Sequence, residues 1–364
     1  MRRRACFFVA SAVNACTLFT DLDGLQGGDE PNEAGTPARD VQSSGDAPTS
    51  DAAVTDAAYA PKFRRAITVE NRAQTTIPAE YTFCFDQAVL DASKTRSDFG
   101  DVRLFGPNGT ERPRLVERHV DGSIHVCFRF ERAIPIGMSD TYEERYGDPA
   151  TPPPAVDPAT LFSFYDGFDG STLSAKWAAL GAPKVANGVL VLPKGGDNGV
   201  RTIAATDGID SSASLELRVR VVDPSSPPRD GSVFYYWFGF QRKSDFVAES
   251  PWTLFIAREI GTIRAEHRLG GESVPPEAGP CAMTCASSFG LQTSQFRVYR
   301  IDRGGGQNEF SLEGQPFSAP GDNGDLGILL RSSLATSDVE VDWVRARAIV
   351  VPEPSVTVGG ETPL

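Results

Sequence analysis

Two carboxylates set two residues apart, one strand crowded with aromatic rings and six cysteines hold most of the chemistry that this 364-residue chain offers. Glu340 and Asp342 stand in Val339-Glu340-Val341-Asp342-Trp343-Val344, an alternating run that puts both acids on one face of a strand. Paired carboxylates are what glycosidic cleavage requires, one protonating the leaving group while the other attacks or activates water. In Val233-Phe234-Tyr235-Tyr236-Trp237-Phe238-Gly239-Phe240, a core made by Phe234, Tyr236, Phe238 and Phe240 leaves Tyr235 and Trp237 on the opposite face. There the rings can stack on a ligand, with polar contacts from Arg264, Glu266 and Arg268, which alternate along a neighbouring stretch. The alternative is a central strand covered on both sides.

The cysteines divide by context. Cys84 in Tyr81–Asp86 and Cys127 in Ser123–Phe130 both point away from the apolar face of their own strand, which carries Phe83 and Phe85 in one run and Val126, Phe128 and Phe130 in the other. They can bond if the two strands are neighbours in one sheet, and otherwise remain separate thiols. Closing that loop would add about 3–4 kcal/mol. Cys281 and Cys285 share a Pro- and Gly-rich loop and are expected to form a small local disulfide. The three histidines, His119, His125 and His267, are widely spaced and give no zinc signature. Gly304-Gly305-Gly306 lacks a following lysine and reads as a turn, not a phosphate loop.

The amino terminus sets the compartment. Arg2, Arg3 and Arg4 precede the apolar stretch Ala5–Val13, which has the length of a secretory signal and is too short to span a bilayer. Residues 1–16 are therefore expected to be a signal peptide. Residues 17–62 carry nine acidic side chains against Arg39 and Lys62 and almost no large apolar ones. Such a segment buries too little to offset its ordering entropy, and is expected to be a disordered acidic tether. The formal charge of −13 argues against nucleic acid as a partner. With 35 glycines, 27 prolines and short alternating runs, the remainder is expected to be all-β.

That remainder divides at a Pro-rich linker, residues 149–161, into units at 63–148 and 162–349, followed by a C-terminal tail at 350–364. Strands are expected in the second unit at 213–222, 233–241, 252–258, 262–268, 296–302, 309–313 and 326–331, with a hairpin at 185–192.

Several strings resemble known families. Val13-Asn14-Ala15-Cys16 resembles the lipobox of bacterial lipoproteins, which implies a lipid on Cys16 as the one membrane contact. Lys62–Asn71 (KFRRAITVEN), Asp101–Thr110 (DVRLFGPNGT) and Tyr146-Gly147-Asp148-Pro149 resemble the bacterial family called domain of unknown function 2341. This likeness implies a small β-sandwich on surface and secreted proteins. Tyr165–Gly170 (YDGFDG), Trp177, the hairpin and the strand at Val339–Arg345 are similar to the ends of concanavalin A-like, laminin-G-like jelly rolls. Related jelly rolls hold a structural calcium between first and last strands, which implies Asp342 with Asp166 or Asp169 as ligands. The string around Glu340 and Asp342 also resembles that of laminarinase-type hydrolases, but Arg345 and Arg347 occupy the place of their further glutamate. No catalytic residues are expected. The reading is an exported, lipid-anchored protein of the cell envelope that binds a glycan or an envelope protein without enzymatic activity. A glycan-cleaving enzyme and a purely structural envelope protein are the alternatives.

Overall fold

Alternation decides which face each strand buries, and the buried faces assemble two sandwiches. A computed structural model describes residues 59–364, apart from 89, 119–121, 153–155, 204–211, 223–234, 243–251, 260–261, 269–288, 291–294, 313–314, 321–325 and 334–336. Among these residues the only helical element is one 3-10 turn, Pro158–Thr160, capped by the Asp157 side chain. No described helix is long and apolar enough to cross a membrane.

The first unit contains β1 (Phe63–Glu70), β2 (Thr82–Gln87), β3 (Arg103–Phe105), β4 (Glu111–Arg112), β5 (Arg114–Arg118), β6 (Ile124–Arg129) and β7 (Ser139–Tyr146). β1, β7, β3 and β4 run side by side in one sheet, and β2, β6 and β5 make a three-stranded sheet. Ile67, Val69, Leu104 and Tyr142 from the first meet Phe83, Phe85, Val126 and Phe128 from the second in one core. The strings at the two ends of the unit are neighbours: Phe63 is in register with Tyr146, and Arg65 pairs with the buried Glu144 at 2.8 Å.

The second unit runs through β8 (Phe164–Asp166), β9 (Trp177–Leu180), β10 (Lys184–Ala186), β11 (Val189–Leu192), β12 (Asp197–Thr202), β13 (Ala213–Val221), β14 (Tyr235–Arg242) and β15 (Trp252–Glu259). It continues with β16 (Thr262–Arg268), β17 (Phe289–Gly290), β18 (Arg297–Gly304), β19 (Gln307–Leu312), β20 (Gln315–Pro320), β21 (Leu326–Ser333) and β22 (Val339–Ala348). An eight-stranded sheet in the order β10-β11-β22-β13-β18-β19-β20, with β8 also on β22, faces a seven-stranded sheet ordered β17-β16-β15-β14-β21-β12-β9. Leu215, Leu217, Val341 and Ile301 pack against Phe238, Phe240, Phe255 and Leu330 between them. The fold is all-β, a small sandwich followed by a jelly-roll sandwich.

Two features depart from the sequence reading. Residues 350–364 are not a tail. Ser355–Val358 forms β23 and Thr362–Pro363 forms β24, both antiparallel to β1. Val356 and Val358 pack on the first core, so burying them outweighs leaving the segment free. Secondly, β22 does not alternate throughout. Its register on β13 shifts between Arg218 and Val219, leaving Asp342 as the extra residue of a bulge. Val339 and Val341 face the core before it, Val344 and Ala346 after it. The shift turns Arg345 and Arg347 outward, where strict alternation from Val341 would drive both into apolar packing.

Candidate functional site

Register brings the predicted ligand positions together on neighbouring strands of the seven-stranded sheet. Cross-strand register sets Arg331, Trp237, Ile256 and Arg264 in one row, and Leu329, Gly239, Leu254 and Glu266 in the next. Tyr236, Phe238 and Phe240 fill the core, so Trp237 stands on the outer face, half-buried, against Leu254 and Ile256. The Arg331 guanidinium lies 4.9 Å from the centre of the Trp237 ring and 3.2 Å from Asp197. Leu254, Ile256 and Leu329 have no exposure, which makes this row partly sheltered and not a bare platform. Arg268 occupies the register position opposite Trp252. The side chains of Tyr235, Arg264, Glu266 and Arg268 lie outside the described residues, as do Cys16, Cys281 and Cys285 altogether.

Glu340 and Asp342 do share a face, on the far sheet. Both project from the outer side of the eight-stranded sheet, and each is met by an arginine of β13. Arg220 donates to Glu340 at 2.5 Å, and Arg218 to Asp342 at 2.7 Å. The two guanidinium groups also lie 4.4 and 5.3 Å from the Phe296 ring. Each carboxylate is thereby engaged by a cation of the neighbouring strand. Asp342, expected as a calcium ligand, is thus ion-paired with Arg218. Asp166 accepts from the Phe168 amide, Ser174 and the Trp177 indole, all on the segment that leads from β8 to β9, and Asp169 Oδ2 lies over Gly167. Among the described residues these three carboxylates do not form one group with ligand atoms within 4.8 Å of one another.

A denser constellation joins the sandwiches. On the outer face of the three-stranded sheet, Cys84 is in register with Cys127 and Asp86 with His125, making a two-by-two block. Cys84 and Cys127 form a disulfide with Cα atoms 4.1 Å apart. Asp86 Oδ1 holds His125 Nδ1 at 2.6 Å, and His125 Nε2 lies 3.2 Å from Cys127 Sγ. Leu161 and Phe162, just past the linker turn, cover the sulfurs together with Leu115 and Tyr165.

Opposite this block stand the outward arginines that the bulge creates. Arg345 donates to Glu216 at 2.6 Å and to Glu117 of the first unit at 2.7 Å, with its guanidinium 5.0 Å from the Phe162 ring. Arg347 and Arg300 both hold Glu353, at 2.6 and 2.9 Å. Tyr81 donates to the same carboxylate at 3.3 Å. Burial works to raise the Glu216 carboxyl, but Arg345 and the other cations around it outweigh that and hold it well below the usual range. Glu353 is shifted down in the same way, burial being overcome by Arg347 and Arg300. Burial pushes the Tyr81 phenol up to about 12. A cavity of about 510 Å³ opens beside the network, with Asp86, Arg300, Asp302 and Glu353 in its wall.

Sequence reading missed this cluster, although one signal was present. Cys84-Phe85-Asp86 and His125-Val126-Cys127 each place two polar side chains on the face away from the core, and only the register of β2 on β6 was needed to join them.

The chain matches no protein-family model, the family expected for the first unit included, and it matches no curated protein. Among solved structures, the Emp47p carbohydrate recognition domain is similar at 12% identity and TM-score 0.41, over 51% of this chain and 95% of that one. An endo-1,3-beta-glucanase from Streptomyces sioyaensis is similar at 14% identity and TM-score 0.39, over 51% and 95%. The potassium-bound Emp46p carbohydrate recognition domain is similar at 11% identity and TM-score 0.35, over 48% and 88%. Lectin-type and glucanase structures both stand among these neighbours, and neither activity follows for this chain from likeness of this degree.

Proposed function

We propose that the protein is an exported, lipid-anchored module of the cell envelope that captures a glycan without cleaving it. The row Arg331–Trp237–Ile256–Arg264 carries this reading: an indole on the outer face of a sheet beside the Arg331 guanidinium, with Arg264 at the register position beyond Ile256. Indole rings stack on the apolar faces of sugars, while guanidinium and carboxylate groups bond their hydroxyls. The pairing of Glu340 and Asp342 with Arg220 and Arg218 supports binding over hydrolysis, since it occupies the carboxylates that hydrolysis would use. The arginine-rich start, the apolar run and Cys16 support export and a lipid anchor, and the acidic stretch behind them supports a spacer between membrane and fold. The test is a glycan array probed with the wild-type chain and with Trp237→Ala. Saturable binding weakened at least tenfold in the variant is expected, about 1.4 kcal/mol or more. A silent array, or equal binding by both proteins, would overturn the reading.

A further inference from the structure

We propose that the seam between the sandwiches is a metal site masked by oxidation, in which reduction of the Cys84–Cys127 bond exposes a Cys2His set for a thiophilic divalent ion such as zinc. Among the described residues, Cys84, His125 and Cys127 are the one group of three metal-ligating side chains whose ligand atoms lie within 4.8 Å of one another, and all three are buried. Tetrahedral zinc with thiolate and imidazole ligands needs ligand-to-ligand edges of about 3.3–3.8 Å. His125 Nε2 already lies 3.2 Å from Cys127 Sγ, and freeing the sulfurs lets them separate to van der Waals distance.

The surroundings supply what such an ion needs. Asp86 holds His125 Nδ1 at 2.6 Å, and so directs Nε2 towards the sulfurs, the carboxylate–histidine support that metal-bound imidazoles use. Glu216 approaches from the other sandwich, its Oε2 taken by Arg345 and its Oε1 3.8 Å from His125 Nε2, but it completes no ligand group with the sulfurs, so the fourth position falls to solvent. Two thiolates and Glu216 carry three negative charges, which a divalent ion with Arg345 and Arg300 beside it can balance. The cavity walled by Asp86, Arg300 and Glu353 reaches Asp86, the residue that holds His125.

The reaction is conventional thiol chemistry. A small dithiol reductant attacks the S–S bond, gives two electrons and leaves as its own disulfide, and the two sulfurs become thiols. The ion then takes both as thiolates and releases two protons. In the oxidised chain the same sulfurs are spent on each other and no site exists.

The test uses the full chain, reduced with a phosphine in denaturant until all six cysteines titrate as thiols, then refolded without oxygen in the presence of cobalt(II). One equivalent of bound cobalt with a thiolate charge-transfer band is expected in the reduced chain, and none in the oxidised chain. The band should persist in the Cys281→Ser/Cys285→Ser double variant and vanish in Cys84→Ser. Asp86→Asn should weaken cobalt affinity roughly tenfold to hundredfold, the usual cost of losing such a supporting carboxylate. His125→Ala should shift the visible spectrum. A reduced chain without the band, a band lost with Cys281 and Cys285, or a spectrum indifferent to His125→Ala would each overturn the proposal.

Discussion

Replacing Arg345 by methionine should destabilise the protein by about 3–5 kcal/mol at neutral pH, the usual cost of leaving one member of a buried ion pair behind. Arg345 is 3% exposed and Glu216 6%, so removing the cation strands a carboxylate almost out of solvent. Glu117, 32% exposed, regains water and adds less than about 1 kcal/mol. Arg300, 3.9 Å from the other Glu216 oxygen, is too far to take over the bond. The pH dependence follows from Glu216. In the wild type its carboxyl lies below the ordinary 4.5, so its stabilising contribution is present above that value and is lost as pH falls. In Arg345→Met burial prevails, the folded carboxyl moves above its unfolded value, and the penalty is relieved as acid protonates it. Urea unfolding followed by tryptophan fluorescence, at pH 7 and pH 4, reads both effects. The difference between variant and wild type should be large at pH 7 and smaller at pH 4. A deficit below 1 kcal/mol at pH 7, or one that does not change with pH, would refute the reasoning. Arg345→Met/Glu216→Leu should cost well under the sum of the two single changes, because it removes both charges at once.

Deleting residues 351–364 removes β23, β24 and Glu353, the shared partner of Arg347 and Arg300. It should cost at least about 3 kcal/mol in urea unfolding and, by baring the β1 edge, promote self-association visible by size-exclusion chromatography. A monomer with an unchanged midpoint would contradict the role given to this segment. Gly181 holds φ +70°, where an added Cβ meets the Asp197 carbonyl and the Asn198 side chain. Gly181→Ala should therefore lower stability by about 1–3 kcal/mol, and an unaltered midpoint would argue against that turn.

Local pattern made the strands legible because each core face repeats every second residue. Phe83 and Phe85, like Phe128 and Phe130, reveal their shared face without any knowledge of the partner strand. The expected strands of the jelly roll each coincide with a strand of the structure for the same reason. Whatever depends on the partner was hidden. The bulge at Asp342 is visible only in the register of β22 on β13, and it reverses the side on which Arg345 and Arg347 stand. Ser355–Val358 is too short a run to announce a strand, and its partner β1 lies nearly the whole chain away. The ion-pair network needs the outer faces of two sheets to meet, which no single strand encodes. On the face proposed for binding, the outward position of Trp237 was legible from alternation, whereas Arg331 enters only through its pairing with β14.

Titrating the tightest-binding array saccharide into the folded chain, with heat and newly formed reducing ends recorded in the same samples, tests glycan capture most directly. One saturable site is expected, weakened at least tenfold in Trp237→Ala, with a constant number of reducing ends. Growth of reducing ends with time, or a binding isotherm indifferent to Trp237, would contradict it.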